Sequence, residues 1–174
     1  MISIVVGTNR KEAVTKKVAH QYAEILKKYD MPSEILDLSD LPGDFIISAL
    51  YENAGKNVAF NEFRASVDKA TKYVFIVPEY NGSFPGVLKA FIDGLKYPGS
   101  FINKKCALVG LSSGQMGGSL ALSHLTDIFN YMGMHVLAFK PKLTRIDKNM
   151  TDGKITETHY LEMLEAQAVQ LINF

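Results

Sequence analysis

One cysteine in 174 residues, Cys106, leaves nothing for it to pair with inside the chain, so no disulfide framework holds this protein together. Its setting, KKCALVGL, is an apolar strand-like run, which makes it a small core side chain rather than a nucleophile. No apolar run approaches the roughly 18 residues that a membrane-spanning helix needs. No charged-then-apolar leader opens the sequence, and the expected compartment is the cytoplasm. Charge of one sign is also missing: Lys+Arg 19 against Asp+Glu 18 gives a net +1. The cationic residues are scattered, the densest pairs being Lys16-Lys17, Lys27-Lys28 and Lys104-Lys105, so neither nucleic acid nor a membrane surface is an expected partner. His20, His124, His135 and His159 have no metal-ligand spacing and no metal is expected. There are no repeats and no low-complexity segment.

What remains is a soluble globular composition, 47% hydrophobic and 21% charged, of a length that suits one domain spanning residues 1–174. ISIVV, Ile2 to Val6, reads as a strand buried on both faces and ending at Gly7. After a loop from Thr8 to Ala13, Val18, Tyr22, Ile25, Leu26 and Tyr29 recur at helical spacing up to Asp30 and Pro32. SEILDLSDLP supplies a second strand, and Pro42 to Asn53 a long connection without a readable pattern. Gly55 to Ala70 is helical and leads into the strand KYVFIV. A helix with Val87, Leu88, Phe91, Ile92 and Leu95 inward follows, with Pro85 in its first turn. CALVGL, Cys106 to Leu111, is a fourth strand, followed by a helix carrying Ala121, Leu125, Ile128, Phe129 and Met132 on one side. Met134 to Phe139 is expected as the fifth strand and Thr156 to Asn173 as the last helix. Between them lies a polar connection, Lys140 to Lys154, with turn signals at Pro141, Asp147 and Asp152-Gly153.

Strands alternating with helices predict an α/β fold, a five-stranded parallel sheet with helices on both faces. Right-handed crossovers allow two common strand orders; the order 2-1-3-4-5 gathers the loops after strands 1, 3 and 4 around one crevice at the carboxyl ends of the strands. Those loops are GTNRKEAVTK, PEYNGS and SSGQMGG. The first joins Gly7, Thr8, Arg10, Thr15 and Lys16 at the start of a helix, where free amides, hydroxyls and a guanidinium suit a phosphate. A capped helix with exposed cations explains the same residues equally well. The loop matches neither G-x-x-x-x-G-K-[ST] nor G-x-G-x-x-G, which disfavours a nucleoside triphosphatase and a standard dinucleotide fold. The second loop offers Glu79, Tyr80, Asn81, Gly82 and Ser83 to a planar heteroaromatic edge, although an Asn-Gly turn can simply join two core elements. The third, Ser112 to Gly118, lets a ligand come close to the backbone or merely packs a helix tightly. Placed together at one sheet edge, a phosphate loop and two ring loops fit a mononucleotide.

GTNRKEAVTK resembles a phosphate loop of the form G-[ST]-x-R-x-x-S-x-[NT], and PEYNGSFPGVLKAFID resembles P-E-Y-N-x-x-x-P-G-x-L-K-N-x-[IL]-D. With GLSSGQMGG, these motifs are similar to those of the NADPH-dependent FMN reductase family, flavodoxin-like enzymes that include quinone, azo-dye and chromate reductases. The resemblance covers nearly the whole chain. It implies a flavodoxin-like three-layer sandwich that binds FMN. The phosphate would be held by Thr8, Arg10, Thr15 and the amides from Val14 to Lys16, and the isoalloxazine by Pro78, Glu79, Tyr80, Asn81 and Gly82 with Ser112, Ser113 and Gly114. Ala13 and Glu12 depart from the pattern, the first removing a hydroxyl and the second adding a negative charge. Ala90 replaces a frequent Asn.

The resemblance further implies NADPH or NADH as co-substrate, a small-molecule electron acceptor (quinone, azo compound, chromate or free flavin), and ping-pong exchange in one open site. No catalytic acid, base or nucleophile of the protein's own is required. Two other functions compete: a flavodoxin-type electron carrier that does not oxidise NAD(P)H, and a flavin-free interaction domain on the same scaffold. The family further implies a homodimer or homotetramer, for which Tyr51, Phe60, Phe84, Tyr97 and Phe101 are the candidate apolar edge.

Overall fold

A computed structural model describes residues 1–174. Five parallel strands form the main path, in the order β2 (Ser33–Asp37), β1 (Ile2–Val6), β3 (Lys72–Pro78), β4 (Lys105–Leu111), β5 (His135–Val136). The first element is β1, Ile2–Val6, buried throughout. It is followed by the helix α1, Val14–Lys28, and by β2, Ser33–Asp37. The apolar stripe of α1 (Val18, Ala19, Tyr22, Ile25, Leu26) is buried, and Asp30, at φ 52°, turns the chain out of the helix. The second strand, expected through SEILDLSDLP, ends at Asp37, where Leu38–Asp40 forms a turn; the unpatterned stretch beyond folds into a single helical turn α2, Phe45–Ser48, and a further turn over Tyr51–Asn53. Each is too short to carry a periodic signal.

The next helix, α3, Val58–Lys69, starts where the Asn57 side chain accepts a hydrogen bond from the Phe60 amide at 2.9 Å. It leads to the central strand β3, Lys72–Pro78, then α4, Gly86–Asp93, and β4, Lys105–Leu111. Because side chains alternate across a strand, β1 and β3 feed two cores. Ile2, Ile4, Val6, Val74 and Ile76 pack with α1 and the C-terminal helix, while Val5, Tyr73, Phe75 and Val77 pack with α3, α4 and the helix after β4. Phe60 and Phe101, expected at an apolar outer edge, are buried in the second core, where Phe60 stacks on Phe45 and Phe101 meets Phe75 and Phe129 edge-on.

Beyond β4 the helix α5, Ser119–Tyr131, returns to the outer edge. Of the strand expected over Met134 to Phe139 only β5, His135–Val136, forms; β6, Lys142–Leu143, lies in the stretch expected as a polar connection, and both pair with β4. His135 lies opposite Lys105 and Lys142 opposite Gly110, so the offset grows from 30 to 32 and two residues bulge out between them. Pro141 has no amide to donate there, and the side chain of Gln167, on the last helix, fills the gap. Its Nε2 donates to Leu108 O and Phe139 O, each at 2.9 Å, and its Oε1 accepts from the Tyr22 hydroxyl at 3.2 Å.

The polar connection after β6 is also built rather than open. A turn over Ile146–Lys148 precedes the hairpin of β7, Met150–Thr151, and β8, Lys154–Ile155. Its two-residue tip, Asp152 at φ 50° and Gly153 at φ 78°, has the positive angles of a type I′ turn. Finally α6, Thr158–Asn173, covers the first core with Leu164, Ala168 and Leu171. No helix is long and apolar enough to cross a membrane.

Candidate functional site

The loops after β1, β3 and β4 meet around a cavity of about 390 Å³. Arg10, Glu12, Ala13, Val14 and Thr15 line one part of it, Pro78, Glu79 and Tyr80 a second, and Leu111, Ser112 and Ser113 a third. Ile146 and Asp147 close it from a fourth segment, within the polar connection after β6. Its only signal was the Asp147 turn.

Helix α1 enters this cavity without a side-chain cap. Ala13 is its N-cap and accepts nothing through a side chain, and the amides of Ala13, Val14 and Thr15 have no acceptor in the protein. A serine here would stabilise the helix by about 1 kcal/mol relative to alanine. Leaving these donors open instead creates a positive pole at the cavity wall, with the exposed Arg10 beside it. That end of the cavity suits an anion. Glu12 and Asp147 on its rim act against one.

Thr8 is fully buried beneath this end. Its Oγ1 accepts from the Arg10 amide at 3.2 Å and lies 2.9 Å from the Tyr80 hydroxyl, joining the first loop to the second. Lys16 points elsewhere. Its amide donates to Ala13 O, and its ammonium sits 2.8 Å from the buried carboxylate of Asp37 at the end of β2. Burial works against charge on Asp37, yet the Lys16 ammonium and the Ser39 hydrogen bonds together hold its carboxyl below the usual range. The hydrogen bond to Asp37 and its charge raise the Lys16 ammonium in turn.

The turn PEYNGS is a miniature hairpin. Tyr80 and Ser83 exchange both backbone hydrogen bonds, at 2.8 and 3.1 Å, across Asn81 at φ 51° and Gly82 at φ 75°, the pair of left-handed angles for which Asn-Gly is suited. Asn81 and Gly82 stand at its tip, outside the cavity lining, with amides that have no protein acceptor. Ser83 Oγ meets His124 Nδ1 at 2.9 Å and fixes the hairpin to α5. Inside the cavity, Glu79 keeps one carboxylate oxygen buried with no hydrogen-bond partner. An orphaned acceptor of this kind costs about 1–3 kcal/mol, so the site is complete only with a donor brought from outside.

In the third loop Ser112 Oγ accepts from the Gly117 amide at 2.9 Å, and Gly117 and Gly118 pack onto the edge of the sheet, where a Cβ on Gly117 would come within 2.9 Å of Lys142 Cβ. These two glycines serve close packing. Gly114 stands off the cavity lining; its carbonyl accepts from the Arg145 amide at 2.9 Å, and its own amide is free. Cys106 lies away from all three loops, buried in β4, with burial pushing its thiol far up. No group of His, Cys, Asp and Glu side chains is placed to hold a metal ion.

A model of one family, described as NADPH-dependent FMN reductase, matches residues 1–139. A 2-hydroxy-1,4-benzoquinone reductase from a Burkholderia species is 32% identical over 157 residues, 85% of this chain and 82% of the relative. An NAD(P)H-dependent FMN reductase of Pseudomonas aeruginosa is 29% identical over 146 residues, 80% of this chain and 79% of the relative. Among solved structures, FerB, a flavoenzyme NAD(P)H:(acceptor) oxidoreductase from Paracoccus denitrificans, superposes with a TM-score of 0.77 at 21% identity, covering 99% of this chain and 94% of that one. At that identity the likeness is one of fold.

Proposed function

The chain belongs to the NADPH-dependent FMN reductase family, and from that premise we propose that it is an FMN-dependent oxidoreductase that draws electrons from NADPH or NADH and passes them to a quinone-type acceptor. One observation carries this reading. The uncapped amides of Ala13, Val14 and Thr15 and the polar lining of Pro78 to Tyr80 and Ser112 to Ser113 stand in a single cavity, an anion cradle and a planar-ring cradle side by side.

The residues fit FMN part by part. The α1 amides and Arg10 hold the phosphate, with Thr8 fixing the loop from below and the Thr15 position closing the first helical turn. Pro78, Glu79 and Tyr80 line the ring end, where the unpartnered Glu79 oxygen supplies an acceptor. The free amides of Asn81, Gly82, Ser113 and Gly114 are donors that need no rearrangement to stabilise negative charge at the ring edge. Lys16 contributes through its place in the helix, its ammonium being committed to Asp37. The chemistry FMN supplies when bound is two-electron exchange, first with reduced nicotinamide dinucleotide and then with the acceptor in the same open site. No side chain is required as acid, base or nucleophile.

The groove between α4 and α5 supports self-association. It measures about 470 Å³ and is lined by Ile92, Leu95, Ile128 and Met132, with Tyr97 (64% exposed) and Tyr131 (80% exposed) stacked at its rim. A second copy of the chain is the proposed occupant, in a homodimer or a homotetramer. The proposed acceptor is a quinone, with azo compounds, chromate and free flavin in the same assay panel.

Two measurements test the reading. Titration with FMN is expected to give a yellow complex with a raised Tm, and anaerobic mixing of that complex with NADPH is expected to bleach it. An FMN complex that keeps its oxidised spectrum would identify an electron carrier; absence of FMN binding would sink the flavoprotein assignment altogether.

A further inference from the structure

The buried carboxylate of Asp37 is met by the Lys16 ammonium at 2.8 Å. Nothing in the protein meets Glu79. Its Oε2 is buried without a hydrogen-bond partner, and none of the ion pairs of the chain, Lys16–Asp37, Lys28–Glu165, Lys89–Asp93 and His159–Glu162, involves it. The main chain holds Glu79 at the cavity wall from both sides. Its amide donates to Leu111 O at 3.1 Å, at the end of β4, and the Tyr80–Ser83 hairpin begins at the next residue.

The charged lining of the cavity is one guanidinium, Arg10, against three carboxylates, Glu12, Glu79 and Asp147. Arg10, Glu12 and Asp147 are exposed, so water and salt screen them. Glu79 is screened least, because one of its oxygens is out of contact with solvent. It also stands between Pro78 and Tyr80, which line the ring end. Of the four charges, it is the one that a ring in the cavity feels most.

Reduction changes the charge of that ring. A hydride carries two electrons and one proton, so a neutral ring that takes one gains a negative charge as the nicotinamide is oxidised. A quinone that then accepts the two electrons, with that proton and a second one from water, leaves the ring neutral again. A fixed carboxylate alongside opposes the reduced form and not the oxidised one. The free amides of Asn81, Gly82, Ser113 and Gly114 act in the opposite sense, but they are neutral dipoles where Glu79 carries a full charge.

We propose that Glu79 holds the bound flavin at a lower reduction potential than that of free FMN, which makes the site a strong electron donor and suits it to quinones that are hard to reduce, those with electron-releasing substituents. This rests on the flavin reading of the cavity. Glu79 then has two effects on one ligand: its open acceptor meets a donor of the oxidised flavin, and its charge weakens the hold on the reduced one.

The test is titration of flavin-free protein with oxidised FMN and, anaerobically, with FMN reduced by dithionite, for the natural chain, Glu79→Gln and Asp147→Asn. The ratio of the two affinities is the shift in potential, tenfold being about 30 mV for a two-electron couple, and potentiometry against a reference dye measures the same shift independently. The natural chain is expected to bind oxidised FMN about tenfold more tightly than reduced FMN. Glu79→Gln keeps an acceptor oxygen and removes the charge, so it should bring the ratio to about one, chiefly by tightening the reduced form. Asp147→Asn, at a screened position, should change the ratio by less than about twofold. A natural chain that binds reduced FMN as tightly as oxidised FMN overturns the proposal without any variant, and so does a ratio that Glu79→Gln leaves unmoved; both leave the FMN assignment standing. An equal shift from Asp147→Asn also overturns it, since the effect then belongs to the net charge of the cavity. Failure of the natural chain to bind FMN in either form removes the flavin reading itself.

Discussion

The hydroxyls of Thr8 and Tyr80 lie 2.9 Å apart, bringing residues 72 positions apart in sequence into one hydrogen bond across the mouth of the sheet. Thr8 Oγ1 already accepts from the Arg10 amide, so the Tyr80 hydroxyl shares in fixing the first loop. This bond makes the two halves of the site a single unit.

Tyr80→Phe keeps the ring and deletes the link. The expected cost is about 1 kcal/mol in stability by denaturant unfolding, with FMN affinity reduced about threefold to tenfold. Thr8→Val should reproduce it, and the double variant should lose less than the sum of the two.

Arg10 and Glu12 pull in opposite directions at the anion end. Arg10→Gln is expected to weaken FMN by roughly tenfold to a hundredfold while leaving riboflavin, which has no phosphate, within about twofold. Glu12→Gln is expected to tighten FMN by about twofold to fivefold, again without effect on riboflavin. Fluorescence quenching titrations of both flavins give the two ratios directly.

The Lys16–Asp37 pair sets a pH dependence. A carboxyl held below its usual range contributes stability that is present above its unfolded value, about pH 3.9, and is lost as the pH falls through the folded value. Thermal melts should therefore show Asp37→Asn below the natural protein in Tm from neutral pH down to about pH 4, with the gap closing under more acidic conditions. FMN affinity of Lys16→Met should stay within about threefold of the natural chain, since the ammonium is turned away from the cavity.

Gln167 is wholly buried and serves three partners. Gln167→Leu fills the same space but strands two backbone carbonyls and the Tyr22 hydroxyl, for an expected loss of about 2–4 kcal/mol. Gln167→Glu should be worse at neutral pH, because a carboxylate accepts where Leu108 O and Phe139 O need a donor. Urea unfolding of the three proteins orders them.

Most of the scaffold was legible in the sequence because its signals are local. Runs such as ISIVV and KYVFIV can only be strands buried on both faces, and the stripes of α1, α4, α5 and α6 repeat at helical spacing. The three loops followed from topology, and the Asn-Gly pair carried its own backbone angles. What could not be read depends on distant partners. Beyond Leu137 the chain leaves the ladder, and Gln167, far along the sequence, bonds Leu108 O and Phe139 O in place of a strand neighbour. Lys16 turns from the phosphate loop because Asp37 ends the neighbouring strand. Phe60 and Phe101 looked available for a surface, and the second core claimed them. Ile146 and Asp147 joined the site through Arg145 and Ile146 amides bonded to Gly114 O and Ser112 O, contacts with no trace in local composition.

The broken outer edge of the sheet also bears on how the protein keeps to itself at high concentration. An uninterrupted edge offers a row of amides and carbonyls on which another chain can lay a strand. Here that row is cut to two residues at His135–Val136 and two at Lys142–Leu143, with a bulge and Pro141 between, and the inner groups of the gap are already occupied by Gln167. At this edge a neighbouring molecule finds no template longer than two residues, so the defect in the fifth strand blunts strand addition on the β5 side of the sheet.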